Sequence, residues 1–374
     1  MQQMITLLMF TMLTACIHTS DNKVPMNYSQ KEFQSEINGK KTDLYLLTNK
    51  QGMTVTLTNY GAKIVSIFVP DRKGNLNDVV LGFGSLADYI KFGASHGATI
   101  GPFANRISGA NFMIDSILYN LPKNNGENCI HSGKESFYRQ VWDASQTGNS
   151  VEMALQSPDG EWGFPGNKKV RVVFTLTEDN ELKINYFATS DKATHFNITN
   201  HSYFNLRGEG NGDILNHQAV IRAMKVTRVD SFMIPTGELD NIQGTPLDFL
   251  TPHSFGERID SDHPQLNLAK GYDFNYILDK PSGELAFAAS VFEPESGRYM
   301  EVFTTEPGIQ LYTGNHLRGN EIGKSHLPYN SRSGFCLETQ HFPDTPNRPE
   351  FPSTLLFPGD TLSSTTIFRF SVKK

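Results

Sequence analysis

The residues with the clearest capacity for chemistry lie near the C-terminal end of the chain. Gly334–Asn347 reads GFCLETQHFPDTPN, and Glu338 stands there in an otherwise apolar and aromatic run, with His341 close by. In a strand, side chains alternate between two faces, so Cys336 and Glu338 share one. A carboxylate on a half-apolar face is a candidate general acid or base. It is equally a structural Glu paired with a cation, and the stretch alone leaves both readings open. Four further stretches gather side chains able to bind hydroxyl groups. Asn105 and Arg106, in GPFANRI, offer a neutral donor–acceptor and a five-donor fork. His131 sits among small residues in NCIHSG, and Asp273 among aromatics in GYDFNY. Each of these three, taken singly, reads as a loop, a turn or a structural residue. Asn197–Leu206, NITNHSYFNL, is different. A solvated loop has no need of Tyr203, Phe204 and Leu206. A buried strand tolerates Asn197, Asn200 and His201 only where they are paired. The compromise is a strand or strand end lining a pocket.

Strands must position these groups, because the hydrophobic pattern has period two. Met53, Val55 and Leu57 alternate with Thr54 and Thr56, and Val151, Met153 and Leu155 repeat the pattern. Val170, Val172, Phe174 and Leu176 run into Glu178-Asp179-Asn180, after which Leu182, Ile184 and Tyr186 resume. That is a hairpin signal. No apolar stripe of helical spacing holds over three turns. Turn residues recur every ten positions or so, and the pattern predicts a large antiparallel β-sandwich with long loops, a single domain over residues 35–374. The 374 residues suffice for a large core. With a net charge of −6 and no basic run, nucleic acid is not an expected partner. There is no C-x-x-C pair and no clustered His/Cys spacing, so no zinc site is expected, and Cys129 and Cys336 read as isolated buried thiols. At the N-terminus, Ile5–Leu13 is a short apolar run of signal-peptide length, though Met1–Met4 lacks the usual Lys or Arg. Leu13-Thr14-Ala15-Cys16 resembles a bacterial lipobox. The expectation is a signal peptide over 1–15, a lipidated Cys16 with a flexible tether over 16–34, and export as a membrane-anchored or periplasmic protein. This anchor is the only expected membrane contact.

Together the polar stretches resemble the aldose 1-epimerase (galactose mutarotase) family. The marks run in order over roughly residues 35–372: TNYGA at Thr58–Ala62, DVVLGF at Asp78–Phe83, ANRI at Ala104–Ile107 and the Asn-x-x-His of Asn128–His131. GFPGN, TNHSYFNL, GDILNH, IPTG, GTPLDF and GIQLYTGN follow, and then GFCLETQHFPDTPN. TNHSYFNL and LETQHFPD are the specific ones. The resemblance implies a β-sandwich of the galactose mutarotase type with an open sugar cleft, acting on a small-molecule aldose without a required cofactor. It implies Glu338 as general base and His201 as general acid, with His131 helping to hold the ring oxygen. Arg106, Asp273 and Gln310 match positions that bind sugar hydroxyls, and Asn105 is expected to join them. His341 is left a supporting role, and Cys336 one in packing. A protonated His201, its pKa raised by a nearby carboxylate, would suit the acid. A structural Ca2+ is conceivable in the family, but no EF-hand or acidic cage supports one here. A monomer is expected. Three departures stand out: Pro102 replaces an Arg, Phe274 replaces a His, and Ile130 and Ser132 alter an LHGG. They bear on sugar preference more than on reaction class. The alternative is a non-catalytic carbohydrate-binding lipoprotein on the same fold.

Overall fold

The computed structural model describes residues 26–93 and 95–373. Three antiparallel sheets carry the architecture. The largest has nine strands, in the order Asp143–Thr147, Ser150–Ser157, Lys168–Leu176, Glu181–Ser190, Leu362–Val372, Arg298–Thr304, Ala286–Phe292, Gln218–Ile221 and His253–Ser254. The second has six: Tyr203–Phe204, Phe335–Gln340, Gly308–Tyr312, Asp273–Leu278, Ala223–Val229 and Pro235–Asn241. The third has four, Leu44–Thr48, Thr54–Thr58, Lys63–Pro70 and Leu76–Asp78. One apolar core draws on all three, with Val55 and Leu57 from the four-stranded sheet, Val172 and Ile184 from the nine, and Phe274, Leu311 and Leu337 from the six. The expected sandwich is therefore present.

Its strands form where alternation predicts them. Lys168–Leu176 buries every second residue, and a turn with Asn180 at φ +56° folds it back against Glu181–Ser190. Thr54–Thr58 departs from simple alternation, because it is buried on both faces. The N-terminal segment explains part of this. The Tyr28 hydroxyl lies 2.7 Å from Thr56 Oγ1 and donates to Ser66 Oγ at 2.6 Å, and Phe33 is fully buried. The flexible tether expected over 16–34 is thus too long: Tyr28–Phe33 packs on the domain. The expected signal peptide, the expected lipidation at Cys16 and the start of the expected tether lie outside the described residues. Helices are brief, as the lack of a helical stripe implies. Leu86–Phe92 is capped by Ser85, whose Oγ accepts from the Asp88 amide, and it ends at Gly93 with φ +63°. No helix among the described residues is long and apolar enough to cross a membrane. Cys129 and Cys336 are free and buried.

Candidate active site

Three neighbouring strands of the six-stranded sheet make a polar floor. The register sets Glu338 opposite Gln310 and Gln310 opposite Asn275. On the adjacent row Tyr203 faces Cys336, Cys336 faces Tyr312, and Tyr312 faces Asp273. Alternation sends Phe335, Leu337, Ile309, Leu311, Phe274 and Tyr276 to the opposite face, inside the main core. That apolar face pins the register, and the polar face is fixed with it.

His201 arrives from a different element. Thr199–His201 pairs with Ala98–Ile100, and His201 Nε2 comes 3.6 Å from Glu338 Oε1. Its ring stacks on Tyr203 at 4.9 Å, and its Nδ1 is 3.5 Å from Cys336 Sγ. His131 meets the His201 ring edge-to-face at 5.3 Å. The Asn105 amide donates to His131 Nδ1 at 3.1 Å, and the His131 amide donates to the Asn105 carbonyl at 3.0 Å. With Nδ1 accepting, a neutral His131 carries its proton on Nε2 as a donor. Arg106 Nη1 lies 3.7 Å from Asp273 Oδ2, and its Nε donates to Asn125 Oδ1 at 3.3 Å. Gln310 Nε2 donates to Asp273 Oδ1 at 2.6 Å. The residues expected to act on a sugar therefore converge. Asn105 Oδ1 accepts from the Arg106 amide, which ties Asn105 to its neighbour and leaves it a second lone pair.

Burial sets the electrostatics. Glu338 is 3% exposed and His201 5%. Desolvation pushes the Glu338 carboxyl well above its usual range, Asp273 adds to this, and Arg106 opposes it. Desolvation pushes His201 well below 6.5, with His131 and His96 acting in the same direction. The expected rise of the His201 pKa is thus replaced by a fall: the cost of charging a ring away from water dominates, and the neighbouring Glu338 is itself pushed toward its neutral form. Burial and Arg106 hold His131 down to about 3.

Other residues in the site were not legible as functional. Asn197 clamps two segments: its Nδ2 donates to the Ala104 and His341 carbonyls, and its Oδ1 accepts from the His341 amide at 2.9 Å. The amide of buried Asp344 donates to the Arg106 carbonyl at 2.8 Å, while its Oδ1 accepts from the Ser108 amide at 2.9 Å. Tyr312 had a usable signal, since it lies two residues beyond Gln310 and so on the same face. His96, 2% exposed, has its Nε2 3.1 Å from Glu321 Oε2, a pairing that nothing in the sequence indicates. These two line a cavity of about 300 Å³ beside the pair, with His131, Tyr203, Tyr312 and His316. A larger hollow of about 730 Å³ lies between the N-terminal segment and Gly323–Lys324, away from Glu338 and His201. Chemistry rather than volume selects the smaller one.

A carboxylate and an imidazole in reach of each other, ringed by an Arg, an Asp, a Gln and a second His, are the groups a sugar-handling acid–base site uses. The family model of aldose 1-epimerase matches residues 43–369. The chain belongs to the aldose 1-epimerase family. It is 43% identical over 320 residues to galactose mutarotase of Bos taurus, which covers 86% of this chain and 92% of the relative. It is 36% identical over 335 residues to aldose 1-epimerase of Escherichia coli K12, covering 89% and 96%. Among solved structures, the GalM/aldose epimerase homologue of C. elegans superposes with a TM-score of 0.82 at 27% identity, covering 89% of this chain and all of that one. Galactose 1-epimerase of Lactobacillus acidophilus gives 0.80 at 28%, covering 91% and 97%. The β-sandwich is thus that of the galactose mutarotases.

Proposed function

We propose that this aldose 1-epimerase interconverts the α and β anomers of free aldohexoses such as glucose and galactose, serving hexose metabolism. The observation that carries the reading is the buried Glu338–His201 pair at 3.6 Å, with Glu338 Oε2 lacking a hydrogen-bond partner. That oxygen is free to accept a sugar hydroxyl's hydrogen bond, and with an imidazole beside it the same oxygen can also take the proton.

Glu338 as carboxylate takes the proton of the C1 hydroxyl while His201 as imidazolium protonates the ring oxygen. The C1–O5 bond breaks to give the aldehyde. Glu338 ends as a carboxylic acid and His201 as a neutral ring. Rotation about C1–C2 and reversal of both transfers close the other anomer and restore the pair. The pocket favours the uncharged distribution, so the charged pair that starts the reaction is its minor form, and the first transfer discharges it. Arg106, Asp273 and Gln310 hold hydroxyls of the open chain, and His131 supports the ring oxygen through Nε2. Asp273 is engaged by Gln310 and Arg106, which weighs against a second hydrolytic carboxylate. No step calls on a cofactor.

The test is the decay of optical rotation of fresh α-galactose and α-glucose. Glu338→Gln is expected to lose about 10²–10⁴ in kcat while still binding sugar. Undiminished activity overturns the mechanism. Export with a lipid on Cys16, and a monomeric state, belong to the same reading. They rest on the sequence of Leu13–Cys16 and on the resemblance. Membrane fractionation of Cys16→Ala and gel filtration test them.

A further inference from the structure

The sequence has no C-x-x-C pair and no clustered His/Cys spacing, yet folding brings a thiol, an imidazole and a carboxylate together. Among the described residues, His201, Cys336 and Glu338 form the one trio of this kind whose donor atoms all lie within 4.8 Å of one another, and all three are buried. His201 Nδ1 is 3.5 Å from Cys336 Sγ, and His201 Nε2 is 3.6 Å from Glu338 Oε1. Ligands of a tetrahedral ion, bound at about 2.0–2.3 Å, stand about 3.3–3.7 Å apart. Each separation taken singly matches one edge of such a tetrahedron. The two run from opposite nitrogens of one ring, so an ion takes one nitrogen and the ligand on the far side swings in. Glu338 has the freedom to do so, because its Oε2 makes no hydrogen bond. Cys336 and Glu338 project from one face of a single strand, which fixes their spacing in advance.

We propose that this floor is an inhibitory site for a borderline-soft divalent ion, with Zn2+ as the type, held by His201, Cys336 and Glu338 and completed by a water. Nitrogen, sulfur and oxygen donors suit Zn2+ and Co2+, whereas Mg2+ and Ca2+ ask for oxygen alone. Binding turns the thiol into a thiolate and the carboxylic acid into a carboxylate, releasing one proton from each to solvent. The ion then occupies the Glu338 lone pair that would take the O1 proton and ties up the His201 ring that would protonate O5, so ion and sugar exclude each other. The inhibition rests on the acid–base reading of Glu338 and His201; the binding does not.

The experiment uses the full chain after chelator treatment. Titration with Co2+ is expected to give a near-ultraviolet thiolate-to-cobalt band and the visible bands of a four-coordinate ion. Cys336→Ser removes the former, and Glu338→Gln weakens the affinity. In the rotation assay, micromolar Zn2+ raises the apparent KM for galactose, EDTA reverses the effect, and millimolar Mg2+ does not reproduce it. In Cys336→Ser, measured against its own metal-free rate, the half-inhibiting Zn2+ concentration rises at least about tenfold, since losing even a group behind a ligand costs that much. Absence of the near-ultraviolet band in the parent protein, or equal Zn2+ sensitivity in Cys336→Ser, overturns the proposal. If no mutarotation is seen at all, the proposed function fails, and the cobalt spectrum still decides the site.

Discussion

Glu338 and His201 share one proton, and burial pushes their affinities for it in opposite directions. His201, displaced well below 6.5, gains a second proton for the pair only in clearly acidic solution. Glu338, displaced well above the usual carboxyl range, loses the last one only well above 4.5. The one-proton form of the pair is therefore extended at both ends, and kcat/KM against pH is expected to give a bell whose acid limb lies below an ordinary histidine's. An acid limb centred on about 6.5 in a pH profile contradicts this. At this scale the sequence was partly legible. That Cys336 lies on the face of Glu338 follows from period two alone. That His201 stands opposite Glu338 depends on the pairing of residues 98–100 with 199–201, and no local pattern states it. The direction of the His201 shift was missed for a related reason. It is set by how completely the pocket is closed, and a partner's identity does not reveal that.

Two clamps and one half-buried ion pair tie elements around the site together. Asp344 holds both ends of the Arg106–Ser108 turn, and its own backbone sits at φ +58°. Asp344→Ala strains that backbone and drops the Ser108 bond, so the turn loosens. KM for galactose is expected to rise about tenfold, with a smaller change in kcat, as befits a charge-assisted hydrogen bond. Asp344→Asn keeps the acceptor and tolerates the backbone, and should stay close to the parent. Equal defects in both variants, read by steady-state kinetics, contradict the positioning role. His341, in the same stretch, pairs its Nδ1 with Glu306 Oε2 at 2.6 Å, and Glu306 accepts from Ser364 as well. Burial alone lowers the His341 pKa, but Glu306 outweighs it and the net is above 6.5. Glu306 is disfavoured by burial yet held below 4.5 by His341 and Ser364. The pair's stabilisation is then complete between 4.5 and 6.5. It fades as pH rises through the raised His341 value, or falls through the lowered Glu306 value. His341→Asn should cost about 1–2 kcal/mol near pH 5.5 and much less near pH 9, by urea unfolding. A gap that does not vary with pH counts against it.

Across the whole molecule, the sandwich was readable because its strands alternate cleanly and no helix competes. The N-terminal boundary was not, because Gln30–Phe33 is polar apart from Phe33, and its attachment rests on Tyr28 reaching two hydroxyls far along the chain. Tyr28→Phe leaves Thr56 and Ser66 without that partner, and a loss of about 1–3 kcal/mol in global stability is expected from denaturant curves. No measurable loss means that the segment is a passive cover. The two-faced strand Phe335–Gln340 has a kinetic side as well. If it paired one residue out of step, Leu337 would turn to water and Glu338 would enter the aromatic core. Exposing one such Leu forfeits about 1.5–3 kcal/mol, and an unpaired carboxylate in hydrocarbon adds to the penalty. A misaligned sheet is thus both unstable and inactive. In a refolding preparation, turnover per mole of protein becomes a census of correctly threaded chains, obtained with a polarimeter instead of a structure.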